Sequence, residues 1–242
     1  MAEPTTSGGR SIKVGVIADQ TGPLSFVGIA NANVASMVIG DINAKGGLLG
    51  RQVDLYLEDS ATTDAVAAAK ATKLVEHDHV DVIFGGIYSS TRQAIKGPAV
   101  VKGKKLYIYP EQYEGQECDP LIFCTGRVPA QQVDPFIPWL MQQTGATKFY
   151  LPSADYIWPR TMNKKVRQVV TANGGAIVGE QYFPSITRTT ARRLTTSPPV
   201  APRWCSIRLF PLGSRHFSSS STTLASPGGV DTLSAHTSTR TS

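Results

Sequence analysis

Three consecutive hydroxyl residues, Ser89, Ser90 and Thr91, open a helix-like stretch directly after a short apolar run, and Tyr109, Tyr113 and Tyr156 follow other such runs. A hydroxyl both donates and accepts hydrogen bonds, and an aromatic ring desolvates whatever flat face lies against it. Groups of these kinds at the ends of strands could face a ligand. One hydroxyl is enough to cap a helix, so three leave a surplus, and Ser89 and Ser90 are the candidate ligand contacts. Aromatics at strand ends commonly pack a lobe, but Tyr109, Tyr113 and Tyr156, at the ends of runs in two neighbouring lobes, suggest a cleft with aromatic walls.

Catalytic and cofactor chemistry finds less support. The GxSxG elbow of a nucleophilic serine is absent, and His77 and His79 sit in a loop that leads into a strand, as a surface pair would. The loop Asp19–Val27 is neither a GxGxxG dinucleotide fingerprint nor a GxxxxGK[ST] phosphate loop. Cys118 and Cys124, six residues apart and without a nearby histidine cluster, make a poor metal site and read instead as small buried side chains. No metal or cofactor is expected, and these motifs lend catalysis no support.

The elements that must position these residues are legible from periodicity. Ile12–Ala18, Val53–Glu58, Val80–Phe84 and Leu106–Tyr109 are short, apolar and rich in β-branched or aromatic residues, which predicts strands. Helices are predicted between them over Asn31–Ala44, where Val34, Met37, Val38 and Ile42 share a face, over Asp64–His77 and over Ser89–Val101. Strand and helix in strict alternation predict an α/β fold with a parallel, doubly wound sheet covered on both faces. After Thr125 a second α/β unit opens, with a helix over Gln131–Gln143, a strand over Lys148–Leu151, a helix over Pro159–Ala172 stopped by Gly174–Gly175, and a strand over Ala176–Tyr182. Ligands of such sheets bind beyond the carboxyl ends of the strands, which singles out the loops Asp19–Val27, Gly85–Thr91 and Tyr109–Gly115.

Charge divides the chain at Pro184. Residues 1–184 hold 17 Lys+Arg and 17 Asp+Glu, so the formal +6 comes wholly from residues 185–242, with seven Arg, no Lys and the single acid Asp231. Twelve Ser and eleven Thr accompany those arginines, with no amphipathic period and no aromatic interleaving. That composition predicts disorder rather than a patch for nucleic acid. A reading-frame slip explains it more sharply. If each true codon is the third base of one codon plus the first two of the next, Trp204 (TGG) followed by Cys205 (TG-) forces a valine, residues 203–208 permit VVFNT, residues 185–190 permit LDHTDY, and residues 235–242 permit CTYFDENF. On this reading Trp204, Cys205, His216 and His236 carry no functional weight. The resulting organisation is a disordered N-terminus over 1–10, an incomplete first ligand-binding lobe over 11–125, the start of a second lobe over 126–184, and an out-of-frame tail over 185–242. Met1–Arg10 lacks the cationic start and apolar stretch of a secretory signal, and no segment is expected to span a bilayer.

At NAKGGLLGR (Asn43–Arg51), YSSTRQAI (Tyr88–Ile95), YPEQYEGQEC (Tyr109–Cys118) and SADYIWPRTMN (Ser153–Asn163) the sequence resembles the type I periplasmic-binding-protein superfamily. The last two motifs resemble its branch of urea and short-chain-amide binding proteins of ABC transporters and the amide-sensing regulator of aliphatic amidase. The resemblance covers about Ile12 to Pro184 and implies two lobes with a ligand held between them. It implies that Ser89 hydrogen-bonds a small neutral amide, that Tyr109 contacts it from the same lobe, and that Tyr156 closes over it from the second. The expected partner is an ABC permease, or a regulatory protein if the chain is a cytoplasmic amide sensor. An α/β enzyme stands as the alternative from another class. The chain as written reads as cytoplasmic, and as periplasmic or cell-surface if translation starts upstream. The family's members continue well past this length, so the 242-residue chain is expected to bind amides weakly or not at all.

Overall fold

The computed structural model describes residues 9–184, 204–207 and 231–233. The chain divides into two compact units, Met1–Arg127 and Val128–Ser242.

The first unit is built on five strands, β1 (Ile12–Ala18), β2 (Val53–Asp59), β3 (Val82–Gly85), β4 (Leu106–Tyr109) and β5 (Ile122–Cys124), all parallel in the order β2-β1-β3-β4-β5. Its helices are α1 (Ser25–Ala44), α2 (Asp64–Glu76) and α3 (Ser89–Lys96), the last continued by a π-helical turn over Gly97–Lys102. Pro98 has no N–H to give to the carbonyl of Ala94, which is where the regular α-helical ladder lapses and the predicted helix over Ser89–Val101 changes pitch.

Alternation along β1 distributes its side chains to two cores. Val14, Val16 and Ala18 pack with Ala32, Ile39 and Ile42 of α1 on one face, while Ile17 joins Ala67, Ala71 and Leu74 of α2 and Ile95 of α3 on the other. Leu74, Ile83 and Ile95 are fully buried, each stabilising the unit by about 1.5–3 kcal/mol relative to exposure. Gly15 on β1 lets α2 approach, since a Cβ there would lie 2.9 Å from Leu74.

Helix α1 departs from expectation in two ways. It begins at Ser25, six residues before the predicted start, and it seats itself through small residues: Gly28 and Ala32 are its buried positions. The stripe of Val34, Met37 and Val38 predicted to share a face points largely outward, at 55%, 60% and 44% exposure. At its full length of 20 residues α1 is long and apolar enough, by length and composition, to cross a bilayer, which corrects the expectation that no segment is. In this fold the helix follows β1 and packs its small-residue edge on the sheet.

The second unit carries β6 (Lys148–Ala154), β7 (Ala176–Phe183), β8 (Trp204–Ile207) and β9 (Asp231–Leu233), parallel in the order β7-β6-β8-β9. Helices α4 (Pro129–Thr144) and α5 (Ile157–Ala172) supply Val133, Ile137, Leu140, Met162, Val166 and Val170 to a core closed by Phe149 and Leu151 of β6. Strands β8 and β9 fall within the segment for which the sequence predicts disorder. The rest of that expectation, most of residues 1–10, and the residues at issue in the shifted strings outside these two strands, lie outside the described residues.

Candidate functional site

Strand β1 lies between β2 and β3, so the side on which successive strands are added reverses at that point and the carboxyl ends of β1 and β3 open beside each other. Gly85 ends β3 at φ +127°, and a Cβ there would sit 1.9 Å from the carbonyl oxygen of Ile17. Only glycine admits that approach, and it turns the chain toward α3. Three groups of side chains gather at this edge of the first unit.

The first is built on Ser89, which opens α3 and is 2% exposed. Its hydroxyl donates to Glu114 Oε1 at 2.5 Å. The other oxygen of that carboxylate accepts from Arg92 Nη2 at 2.7 Å. Arg92, one helical turn beyond Ser89, is 5% exposed, and its guanidinium carbon lies 4.9 Å from the ring centroid of Tyr109 and 6.0 Å from that of Tyr113. Burial works against the charge on Arg92, but the bond and charge of Glu114 prevail and hold its pKa above the ordinary arginine value. Its Nε and Nη1 have no hydrogen-bond partner, Nε lying 4.0 Å from Glu117. Glu117 in turn accepts from Lys96 Nζ at 2.7 Å.

The second group accounts for the remaining hydroxyls. Thr91 Oγ1 donates to Asp64 Oδ1 at 2.8 Å and Ser90 Oγ to the same oxygen at 3.2 Å. Neither they nor Ser89 caps α3, whose N-cap position is Tyr88. The hydroxyl run thus ties α3 to the start of α2 and to the loop after β4. Ser90 is the more open of the two candidate serines.

The third group is acidic. Asp19, at the end of β1, is wholly buried; its Oδ1 accepts from Ser60 Oγ while Oδ2 has no partner. Burial raises its pKa, with the Ser60 and Thr62 hydroxyls opposing. Glu111 is likewise raised by burial, against the pull of Asn31, whose Nδ2 donates to it at 3.2 Å.

Tyr109 occupies the floor of this edge. It is fully buried, and its hydroxyl donates to the carbonyl of Ile87 at 2.5 Å, fixing the loop between β3 and α3. The sequence reading placed Tyr109 and Ser89 correctly at adjoining strand ends but missed Glu114 and Arg92, which join them. The signal was an acid-rich loop, EQYEGQECD, following β4, opposite a helix carrying two cations, Arg92 and Lys96.

Tyr156 belongs to the second unit, where it is the N-cap residue of α5 in extended conformation and packs partly against that unit's core. Trp158 is buried in the same core, so its part is packing. Among the cysteines, Cys118 is exposed, which corrects the expectation of burial, because it lies in the loop between β4 and β5 rather than in an element. Cys124, on β5, is half-buried, and burial raises its thiol pKa.

Residues 11–190 match the sequence model of the family described as periplasmic binding protein. The Leu/Ile/Val-binding protein of Escherichia coli K12 is 34% identical over 84 residues, 35% of this chain and 23% of the relative. Among solved structures, the branched-chain amino acid transporter substrate binding protein LivJ of Streptococcus pneumoniae, in complex with isoleucine, aligns with a TM-score of 0.70 at 20% identity, covering 82% of this chain and 56% of that one. A solute binding protein of an ABC transporter from Rhodopseudomonas palustris BisB5, in complex with 3,4-dihydroxybenzoic acid, aligns with a TM-score of 0.71 at 23% identity, covering 83% of this chain and 55% of that one. These likenesses show a shared α/β fold, and the chain spans little more than half the length of the solved relatives.

Proposed function

The chain belongs to the periplasmic binding protein family, a family of binding proteins and not of enzymes, and on that premise we propose that it serves as a solute-binding protein that hands a small neutral amide-like solute, urea or a short-chain amide, to an ABC importer. The observation that carries the choice of ligand is the Arg92–Glu114 pair. The buried cation at the carboxyl edge of the sheet has its charge answered at 2.7 Å, and Lys96 beside it is answered by Glu117. A carboxylate arriving there would meet cations whose charge is already answered by Glu114 and Glu117, and the further acids Asp19 and Glu111, whereas a neutral amide needs only directed hydrogen bonds and a ring to lie on. In this reading Ser89 is the hydroxyl contact, Ser90 a flanking one, and Tyr109 the floor. Tyr156, at the start of α5, is proposed separately as a solute-binding residue. A periplasmic or cell-surface location goes with the importer role.

A second reading, an amino acid as solute, is favoured by the E. coli relative named for leucine, isoleucine and valine and by the same acidic groups, which would suit an ammonium. Calorimetric titration with urea, acetamide and leucine separates the two. It is best done both on the 242-residue chain and on a chain in which one base restores the frame after Pro184. One-site heat with acetamide or urea that disappears in Ser89→Ala supports the amide reading. Heat with leucine alone favours the second, and absence of amide binding in both chains overturns the first.

A further inference from the structure

We infer that Glu114, held by Arg92, sets the polarity of Ser89 and thereby makes this position selective for solutes that present an N–H. The inference rests on the proposed solute-binding function. A serine hydroxyl has one hydrogen and two lone pairs. In this structure the hydrogen is given to Glu114 Oε1 at 2.5 Å, a charge-assisted bond within a site where Ser89 is 2% exposed. What Ser89 offers elsewhere is therefore oxygen lone pairs. It can accept from an amide N–H or an ammonium, and it meets a carbonyl or carboxylate oxygen with its own oxygen.

Arg92 makes this arrangement one-sided. Guanidinium groups only donate, so the Glu114 oxygen 2.7 Å from Nη2 must remain an acceptor. The carboxylate is pinned from one side by Arg92 and has its other oxygen left for Ser89. Arg92 is itself held over the rings of Tyr109 and Tyr113, with Nε and Nη1 buried and unpartnered. Glu114 is thus a positioning residue, acting on the solute through Ser89.

The substitution Glu114→Gln reverses the polarity without removing the shape. Because Arg92 can only donate, the glutamine oxygen must face it, which turns the glutamine NH2 toward Ser89 and frees the serine hydrogen to point outward. Glu117→Gln is the control: it removes the same charge from the same network, 4.0 Å from Arg92 Nε, without touching Ser89.

The test is an NMR titration of the 242-residue chain, which reads affinities down to the millimolar range, with acetamide against acetate and leucine against 4-methylpentanoate, its counterpart without the amino group. The Ser89 hydroxyl proton, identified by its loss in Ser89→Ala, should be visible in the free protein and absent in Glu114→Gln. Acetamide should bind at least about tenfold better than acetate, a preference that narrows about tenfold in Glu114→Gln and holds in Glu117→Gln. If only leucine binds, with its preference over 4-methylpentanoate lost in Glu114→Gln, the amide function fails and the inference stands. If nothing binds to this chain, the hydroxyl proton decides the inference, and the amide function is decided by the frame-restored chain. An undetectable hydroxyl proton, acetate binding as well as acetamide, or Glu117→Gln shifting the preference as far as Glu114→Gln overturns the inference.

Discussion

The Asp19 carboxyl accepts a hydrogen bond from Ser60 with one oxygen and leaves the other buried with no partner. An unpaired buried carboxylate is costly because it has exchanged water for a medium that solvates charge poorly. The structure keeps that cost at the end of β1, at the edge where solute is proposed to bind.

Asp19→Asn should therefore stabilise the chain at neutral pH by about 1–3 kcal/mol, since asparagine can still accept from Ser60 and carries no charge. Burial raises the Asp19 pKa above its ordinary 3.8. A raised carboxyl binds its proton more tightly when folded, so its contribution is fully present below the unfolded value and is lost as pH rises through the folded one. Melting curves at pH 3 and pH 7 check this: the advantage of the variant should appear at pH 7 and vanish at pH 3. Equal effects at both would contradict it.

Arg92→Ala should cost about 3–5 kcal/mol, because it strips the largely buried Glu114 carboxylate of the cation that lies 2.7 Å from it. Denaturant titration of the variant should show a lower midpoint, and the double variant Arg92→Ala/Glu114→Ala should recover part of the loss. A double variant whose loss equals or exceeds the sum of the two singles would refute the pairing.

Tyr109→Phe removes the hydroxyl that holds the Ile87 carbonyl at 2.5 Å and leaves that carbonyl short of a donor. A loss of about 1–3 kcal/mol in stability is expected. Amide affinity should fall less than in Ser89→Ala, because the ring survives. An affinity loss as large as that of Ser89→Ala would show the hydroxyl to be a direct contact.

Two glycines of α1 should respond in opposite directions. A Cβ at Gly28 would lie 2.1 Å from the Asp19 carbonyl, so Gly28→Ala should lower the melting temperature. Gly40 has nothing within 4 Å, and Gly40→Ala should stabilise by about 0.5–1 kcal/mol through helix propensity alone. Matching shifts in the two would mean that α1 is not seated on its small residues.

Resequencing the gene from the codon of Tyr182 past that of Ser242 should find one base missing near Pro184, restoring the string LDHTDY directly after it. Confirmation of the present frame across that interval would remove the slip.

What could be read without coordinates was what depends on neighbours in sequence. Val14, Val16 and Ile17 announce a strand by alternation with burial on both faces, and Leu74 and Val75 announce the core side of α2. Helix α1 starts before its predicted first residue because Asp19–Val27 reads as a loop, and Val34, Met37 and Val38 share a face that turns outward because hydrophobic periodicity carries no information about close approach through Gly28 and Ala32. Strand β5 went unseen since three residues, Ile122–Cys124, hold too little pattern. The bond from Ser89 to Glu114 spans 25 residues of chain, and no spacing rule reaches that far.

The loop between β4 and β5 owes its shape to a different element. Glu114, Glu117 and Asp119 are held by Arg92 and Lys96, both on α3, at distances of 2.7 to 3.9 Å. Loop and helix therefore form a single heritable module. An engineer who swapped this loop into a related scaffold to change its solute would import three acids without their counterions. The exchange can succeed only if α3 travels with it.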